Sequence, residues 1–125
     1  MRHWLFIAAV MGGLGVLLGA FAAHGLASRL EPRLLATFET GARYQMYHAL
    51  AIGLAAFAMR GAARPRARAA ALLFAIGIVL FSGSLYALAL SGAHAIGFLT
   101  PLGGLAFLAG WTMLALAALK LEESR

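Results

Sequence analysis

Residues 42–59 read ARYQMYHALAIGLAAFAM, and the fold turns on whether a helix with this sequence sits in a bilayer. The second half is apolar. The first half carries five side chains that donate or accept hydrogen bonds: Arg43, Tyr44, Gln45, Tyr47 and His48. A lipid-facing helix sheds such groups, because ionisable and polar side chains are costly in hydrocarbon and turn inward or toward the interface.

The rest of the chain supports the bilayer. Charged residues are 11% and hydrophobic ones 63% of 125 residues, with a mean hydropathy of +0.90, whereas soluble domains carry about 25% charged residues. Too little polar material is present to coat a water-soluble core, so lipid is the expected solvent for the outer faces. The net charge of +6 does not point to nucleic acid. Four of the ten Lys and Arg residues fall in RGAARPRAR (60–68) between apolar runs, the pattern of a positive cytoplasmic loop rather than an aromatic-studded binding face. The absence of Cys removes disulfides, thiolate metal sites and Cys nucleophiles.

Four spans are expected, at about 4–23, 43–59, 69–90 and 101–119, in one domain. The first is uncharged over 20 residues, about 30 Å of helix and one hydrocarbon thickness. A signal peptide is the competing reading, but its apolar region would run only about 7–15 residues. Pro101 suits a first helical turn. Arg2, Arg60, Arg64, Arg66, Arg68, Lys120 and Arg125 lie on one side of such an arrangement and Arg29, Arg33 and Arg43 do not, which predicts cytoplasmic N- and C-termini.

The connection between the first two spans contains Pro32 and the apolar spacing Leu34, Leu35, Phe38, Ala42. It reads as a short amphipathic helix in the outer interface; alternatively one helix runs from Pro32 into the second span, with Gly41 as the place to bend. The architecture is therefore all-α: a transmembrane four-helix bundle with a short amphipathic interfacial helix between spans one and two. Small residues at four-residue spacing (Gly15, Gly19, Ala23, with Gly53, Gly83, Gly103, Gly104 and Gly110 on the other spans) are expected to let backbones approach closely.

On this topology the polar residues of the second span fall at its outer end, with His24, His94 and Tyr86 on the same side. Glu39 with Arg43, and Tyr44 with His48, are four apart and can meet on a helix. The candidate binding residues are His24, Arg43, Tyr44, Gln45, Tyr47, His48 and Tyr86. One reading is an aromatic belt and an Arg anchored to phosphate, with histidines bonded between helices. Another is a metal or haem held by His24 and His48, although no H-E-x-x-H occurs. Ser82, Gly83 and Ser84 read as helix–helix contacts rather than as a nucleophile.

The segments GAFAAHGL (19–26), ETGARYQMYHALAI (39–52), FSGSLYALALSG (81–92) and TPLGGLAFLAGW (100–111) together resemble the domain of unknown function 423 family, small YgdD-like membrane proteins of four spans. The resemblance covers nearly the whole chain in order. It implies a bacterial inner-membrane protein and brings no reaction with it. His94 and the 64–66 segment lie outside the matching motifs. The expected function is a non-enzymatic protein that binds or supports a lipid or a protein partner through a polar site at the outer half of the bilayer, the partners being membrane lipids and either another protein or further copies of the chain in a homo-oligomer. A small transporter or channel is the alternative, and metal or haem binding through His24 and His48 the third. No cofactor and no nucleic acid are expected.

Overall fold

The computed structural model describes residues 1–121, so Arg125 of the basic set lies outside them. Among the described residues every regular element is helical. Helix α1 (Arg2–Phe21) runs on through a π turn (Ala22–Leu26), and α2 spans Pro32–Phe57. A short 3-10 turn (Gly61–Ala63) leads into α3 (Arg64–Gly77), which a π turn (Ile78–Ser82) joins to α4 (Gly83–Ser91). A second 3-10 turn (His94–Phe98) opens α5 (Leu99–Ala118). The described residues thus make four rods: Arg2–Leu26, Pro32–Phe57, Gly61–Ser91 and His94–Ala118.

Three of the rods, all except α2, are long and apolar enough to cross a membrane, their most apolar 18-residue stretches having mean hydropathies of 2.3, 2.2 and 1.6. Glu39, Arg43, Gln45 and His48 dilute the apolar content of α2. Yet α2 buries ten residues and α1 only Ala8 and Gly15. The least apolar rod is the one most enclosed by protein, with α1 on one flank and the α3–α4 rod on the other. Helix α5 packs along α3 and the π turn.

The connection between the first two rods follows the second of the two sequence readings. No separate interfacial helix forms: α2 runs from Pro32 unbroken for 26 residues, about 39 Å of rise. Its expected amphipathic stripe faces protein rather than the interface plane. Phe38 is 1% exposed, its ring 6.1 Å from Phe21 and 4.8 Å from Tyr86, within a small core with Ala22, Leu26 and Ala89. Gly41 is a seat for a ring from the facing rod. A Cβ there would come within 2.8 Å of the Tyr86 ring and 3.3 Å of the Ser82 carbonyl.

Neighbouring rods are antiparallel, and their register follows from the glycines. A Cβ on Gly12 would lie 3.9 Å from that of Ala49, one on Gly53 would lie 3.9 Å from that of Ala8, and one on Gly15 would lie 3.5 Å from Met46 Cε. Across the α3–α5 seam Gly77 lies under the Phe107 ring, Gly110 against Phe74, and Gly103 against the Phe81 backbone. In each case hydrogen in place of Cβ admits an aromatic residue or a main chain. The remaining small-residue positions do not act this way. A Cβ on Gly19, Gly83 or Gly104 would meet nothing within 4 Å, and Ala23 is exposed. At the far end Gly92, with φ 71°, closes α4 through its N–H to the Leu88 carbonyl at 2.7 Å, a left-handed cap that favours glycine.

Candidate functional site

The polar stretch of α2 divides by helix face. Gln45 and His48, three apart, point inward and are 3% and 5% exposed. Arg43 and Tyr47, four apart, point outward, and Tyr47 is 50% exposed. Tyr44 and Tyr86 are half-buried.

Inside, the polar groups form a ladder between rods. Gln45 Nε2 donates to the Met11 carbonyl of α1 at 2.9 Å, and its Oε1 accepts from the Tyr86 hydroxyl at 2.6 Å. One side chain therefore ties three rods together. Toward the Phe38 end, Ser82 Oγ donates to the Gly41 carbonyl at 2.7 Å. Ser84 and Thr100 share a 2.6 Å bond between α4 and α5. The π turn carries Ser82, and such turns recur at functional sites and close helix contacts.

His48 is the other anchor. Trp111 Nε1–H donates to His48 Nε2 at 3.1 Å, while His48 Nδ1 faces the Tyr44 carbonyl at 2.7 Å. A carbonyl only accepts and an indole N–H only donates, so these partners assign a neutral imidazole with its proton on Nδ1. The ring lies flat on Phe107, centroids 3.5 Å apart and planes within 5°, with Phe74 at 5.7 Å. Among the described residues, no buried side-chain polar atom lacks a hydrogen bond. A wet polar cavity is not what these residues build; they bond helix to helix.

Their depth also differs from the sequence expectation of an outer end. Gln45 reaches Met11, Ala49 opposes Gly12, and His48 is level with Phe74 and Phe107, all near the middle of their rods. Because α2 begins at Pro32 rather than near residue 43, its polar stretch is carried to mid-length. His24 does not join them. It is exposed in the π turn that ends the first rod, level with Phe38, and Phe38 is about 15 Å of helix rise from His48. The two histidines therefore cannot ligate one metal or haem iron, and both His48 nitrogens are already bonded. His94 is exposed in the 3-10 turn. Among the described residues no three His, Asp or Glu side chains gather as a metal set.

Outside, Arg43 and Tyr47 line a groove of about 350 Å³ between α1 and α2, with Gly15, Gly19, Glu39, Ala42 and Met46. Glu39 and Arg43 share this groove, but the expected pair between them does not form; the ion pair of this region is Arg33 with Glu31, at 3.4 Å. Met46 also lines a second, apolar groove of about 550 Å³ that continues along the same seam past Gly13, Val16, Leu50 and Gly53 to Phe57. Sequence reasoning missed Trp111 and Phe107 as partners of His48. The motif ending in Trp111 was a signal, but only the rod register brings it to α2.

Residues 18–104 match the family described as Protein of unknown function (DUF423). The chain is 45% identical to a UPF0382 membrane protein of Haemophilus influenzae, over 95% of each chain. It is 41% identical to the UPF0382 membrane protein YwdK of Bacillus subtilis, over 96% of this chain and 98% of the other. It is also 41% identical to the UPF0382 inner membrane protein YgdD of Escherichia coli, over 98% of this chain and 93% of the other. No solved structure matches the chain.

Proposed function

The chain belongs to the DUF423 family and is an integral membrane protein, and from that premise we propose that it is a four-span, non-enzymatic lipid-binding protein of the bacterial inner membrane. The fourth span in this reading is α2, whose inward-facing polar groups, Gln45 and His48, are bonded to the rods around it. Antiparallel order gathers Arg2, Arg60, Arg64, Arg66, Arg68 and Lys120 at one end of the bundle, which supports cytoplasmic termini. The ligand is a lipid phosphate held by Arg43 in the half of the bilayer away from the 60–68 loop.

One observation carries this reading. Arg43 is exposed in the α1–α2 groove about 7.5 Å of helix rise from the mid-length His48, and among the described residues it has no ion-pair partner. A cation at that depth is costly on its own and marks a functional site by default. A guanidinium that reaches outward to a phosphate relieves the cost, because it can donate two parallel, charge-assisted bonds. Binding rather than catalysis is supported by the inner network: Ser82 donates to the Gly41 carbonyl, Ser84 bonds the Phe81 carbonyl and the Thr100 hydroxyl, and His48 bonds the Trp111 indole and the Tyr44 carbonyl of its own helix, so these groups spend their hydrogen bonds on the fold.

The test is phospholipid retained through purification in mild detergent, measured as phosphorus per protein. The native chain is expected to keep lipid and Arg43→Gln to lose most of it, by about tenfold in affinity, the size of one charge-assisted bond. Equal retention by a folded Arg43→Gln contradicts the proposal.

A further inference from the structure

The α1–α2 seam contains more than a cation. Following it from the Phe57 end, through the middle of the bundle and on toward the Phe38 end, the lining changes in order: an apolar trough past Gly53, Leu50, Gly13 and Val16, then Met46, which both grooves share, then Arg43, then Glu39. Arg43 and Glu39 are one helical turn apart, about 6 Å of rise, with the carboxylate on the outer side. Both face the same groove and neither pairs with the other. Residues at this spacing on an exposed helix face commonly do pair, so their separation leaves two opposite charges available to one ligand.

We infer that the seam takes a zwitterionic phospholipid whose head group ends in a primary ammonium, an aminoalkyl phosphodiester lipid; this rests on the lipid-binding reading above and names the head group. The order along the seam is the order along such a molecule. An acyl chain lies in the apolar trough, whose floor of small residues leaves it open. The phosphate meets Arg43. The ammonium, joined to the phosphate by two carbons, lies farther out and donates to Glu39. Each charge of the head group then has an opposite charge, and both protein charges lose the penalty of standing alone at a lipid-facing position.

The same geometry discriminates. An anionic glycerol head group offers phosphate to Arg43 but brings hydroxyls and no cation to Glu39, leaving a carboxylate beside a net negative ligand. A trimethylammonium head group has the right charge order but no N–H to donate to the Glu39 carboxylate. Specificity thus resides in Glu39 and affinity in Arg43.

The experiment is competition among phosphatidylethanolamine, phosphatidylglycerol and phosphatidylcholine of identical acyl chains for the full chain in detergent, read by native mass spectrometry. The native protein is expected to prefer the ethanolamine lipid by about tenfold over each of the others, as for one charge-assisted hydrogen bond. Glu39→Gln should bring the three within about twofold of each other, while Arg43→Gln should weaken all three together. Both positions are exposed, so thermal melting checks that each variant stays folded. A native protein that binds the glycerol or choline lipid as tightly as the ethanolamine lipid overturns the inference, as does a preference that survives Glu39→Gln. In those cases lipid binding that still depends on Arg43 leaves the broader reading standing. Lipid binding indifferent to Arg43 removes both.

Discussion

The two long seams of the molecule use glycine to opposite ends. Along α3 and α5, three glycines are filled from across the seam: Phe107 lies over Gly77, Phe74 over Gly110, and the Phe81 main chain against Gly103. Along α1 and α2 the facing residues are small on both sides, Ala8 with Gly53 and Gly12 with Ala49, so the rods touch but nothing large fills the space beside them. Gly13 and Gly19 face open space. One seam is closed by aromatic rings and carries the fold. The other stays grooved, and the unpaired charges of α2 lie in its groove. Between them runs the inner face of α2, where Gln45 and His48 tie each seam to the other.

Breaking the closed seam should have the largest effect. Gly103→Leu drives a side chain into the Phe81 backbone, which cannot swing aside as a side chain can. The expected loss is about 3 kcal/mol or more, at the upper end of overpacking costs, seen as aggregation or a collapsed midpoint in a denaturing-detergent titration. Next comes the link between seams. Gln45→Leu removes the bonds to Met11 and Tyr86 and strands the tyrosine hydroxyl in an apolar interior; interhelical bonds in membranes are worth about 0.6 kcal/mol each and up to about 1.7, so a loss of about 1–3 kcal/mol is expected. A cycle with Tyr86→Phe should return a coupling of about 1 kcal/mol. A coupling of zero would mean the 2.6 Å bond contributes nothing.

Smaller changes sharpen the contrast. Trp111→Phe keeps the aromatic surface but removes the donor to His48, and should cost about 0.6 kcal/mol in the same titration. Gly13→Ala places a methyl in the open seam, where nothing lies within 4 Å. Stability should then hold or rise by up to about 1 kcal/mol, because alanine favours helix over glycine. The same exchange at Gly77 would meet the Phe107 ring and should destabilise. Opposite signs at the two seams are the signature of this architecture.

Much of the architecture was legible in the sequence, and the reasons are physical. The uncharged run after Arg2 and the apolar runs around Val79 and Leu108 declare long apolar rods by length and composition alone. Pro32 opens α2 as a proline opens a helix. The extent of α2 was harder to read, because Glu39, Arg43, Gln45 and His48 lower its hydropathy, and only packing shows that Gln45 and His48 face protein. Gly41 illustrates the limit: a bend and a close contact both call for a small residue, and the ring of Tyr86 is 45 positions away in sequence. The pairing of Gly77 with Phe107 and the donation from Trp111 to His48 depend on the register between rods, which periodicity within one helix does not encode. The π turn at Ile78–Ser82 carries no proline and no internal glycine to announce it.

The α1–α2 register decides the rest, since it carries Gln45 and His48 to mid-length and leaves Arg43 partway out along an open seam. The chain has no cysteine of its own, so paired substitutions report distance cleanly. A Cβ on Gly12 would lie 3.9 Å from that of Ala49, within the range of about 3.5–4.5 Å that a disulfide spans. Gly12→Cys with Ala49→Cys should therefore cross-link rapidly under mild oxidation in membranes, and Gly12→Cys with Leu54→Cys should not. If the second pair forms and the first does not, α2 enters the bundle near residue 43, its polar stretch lies at the outer end, and the central claim is wrong.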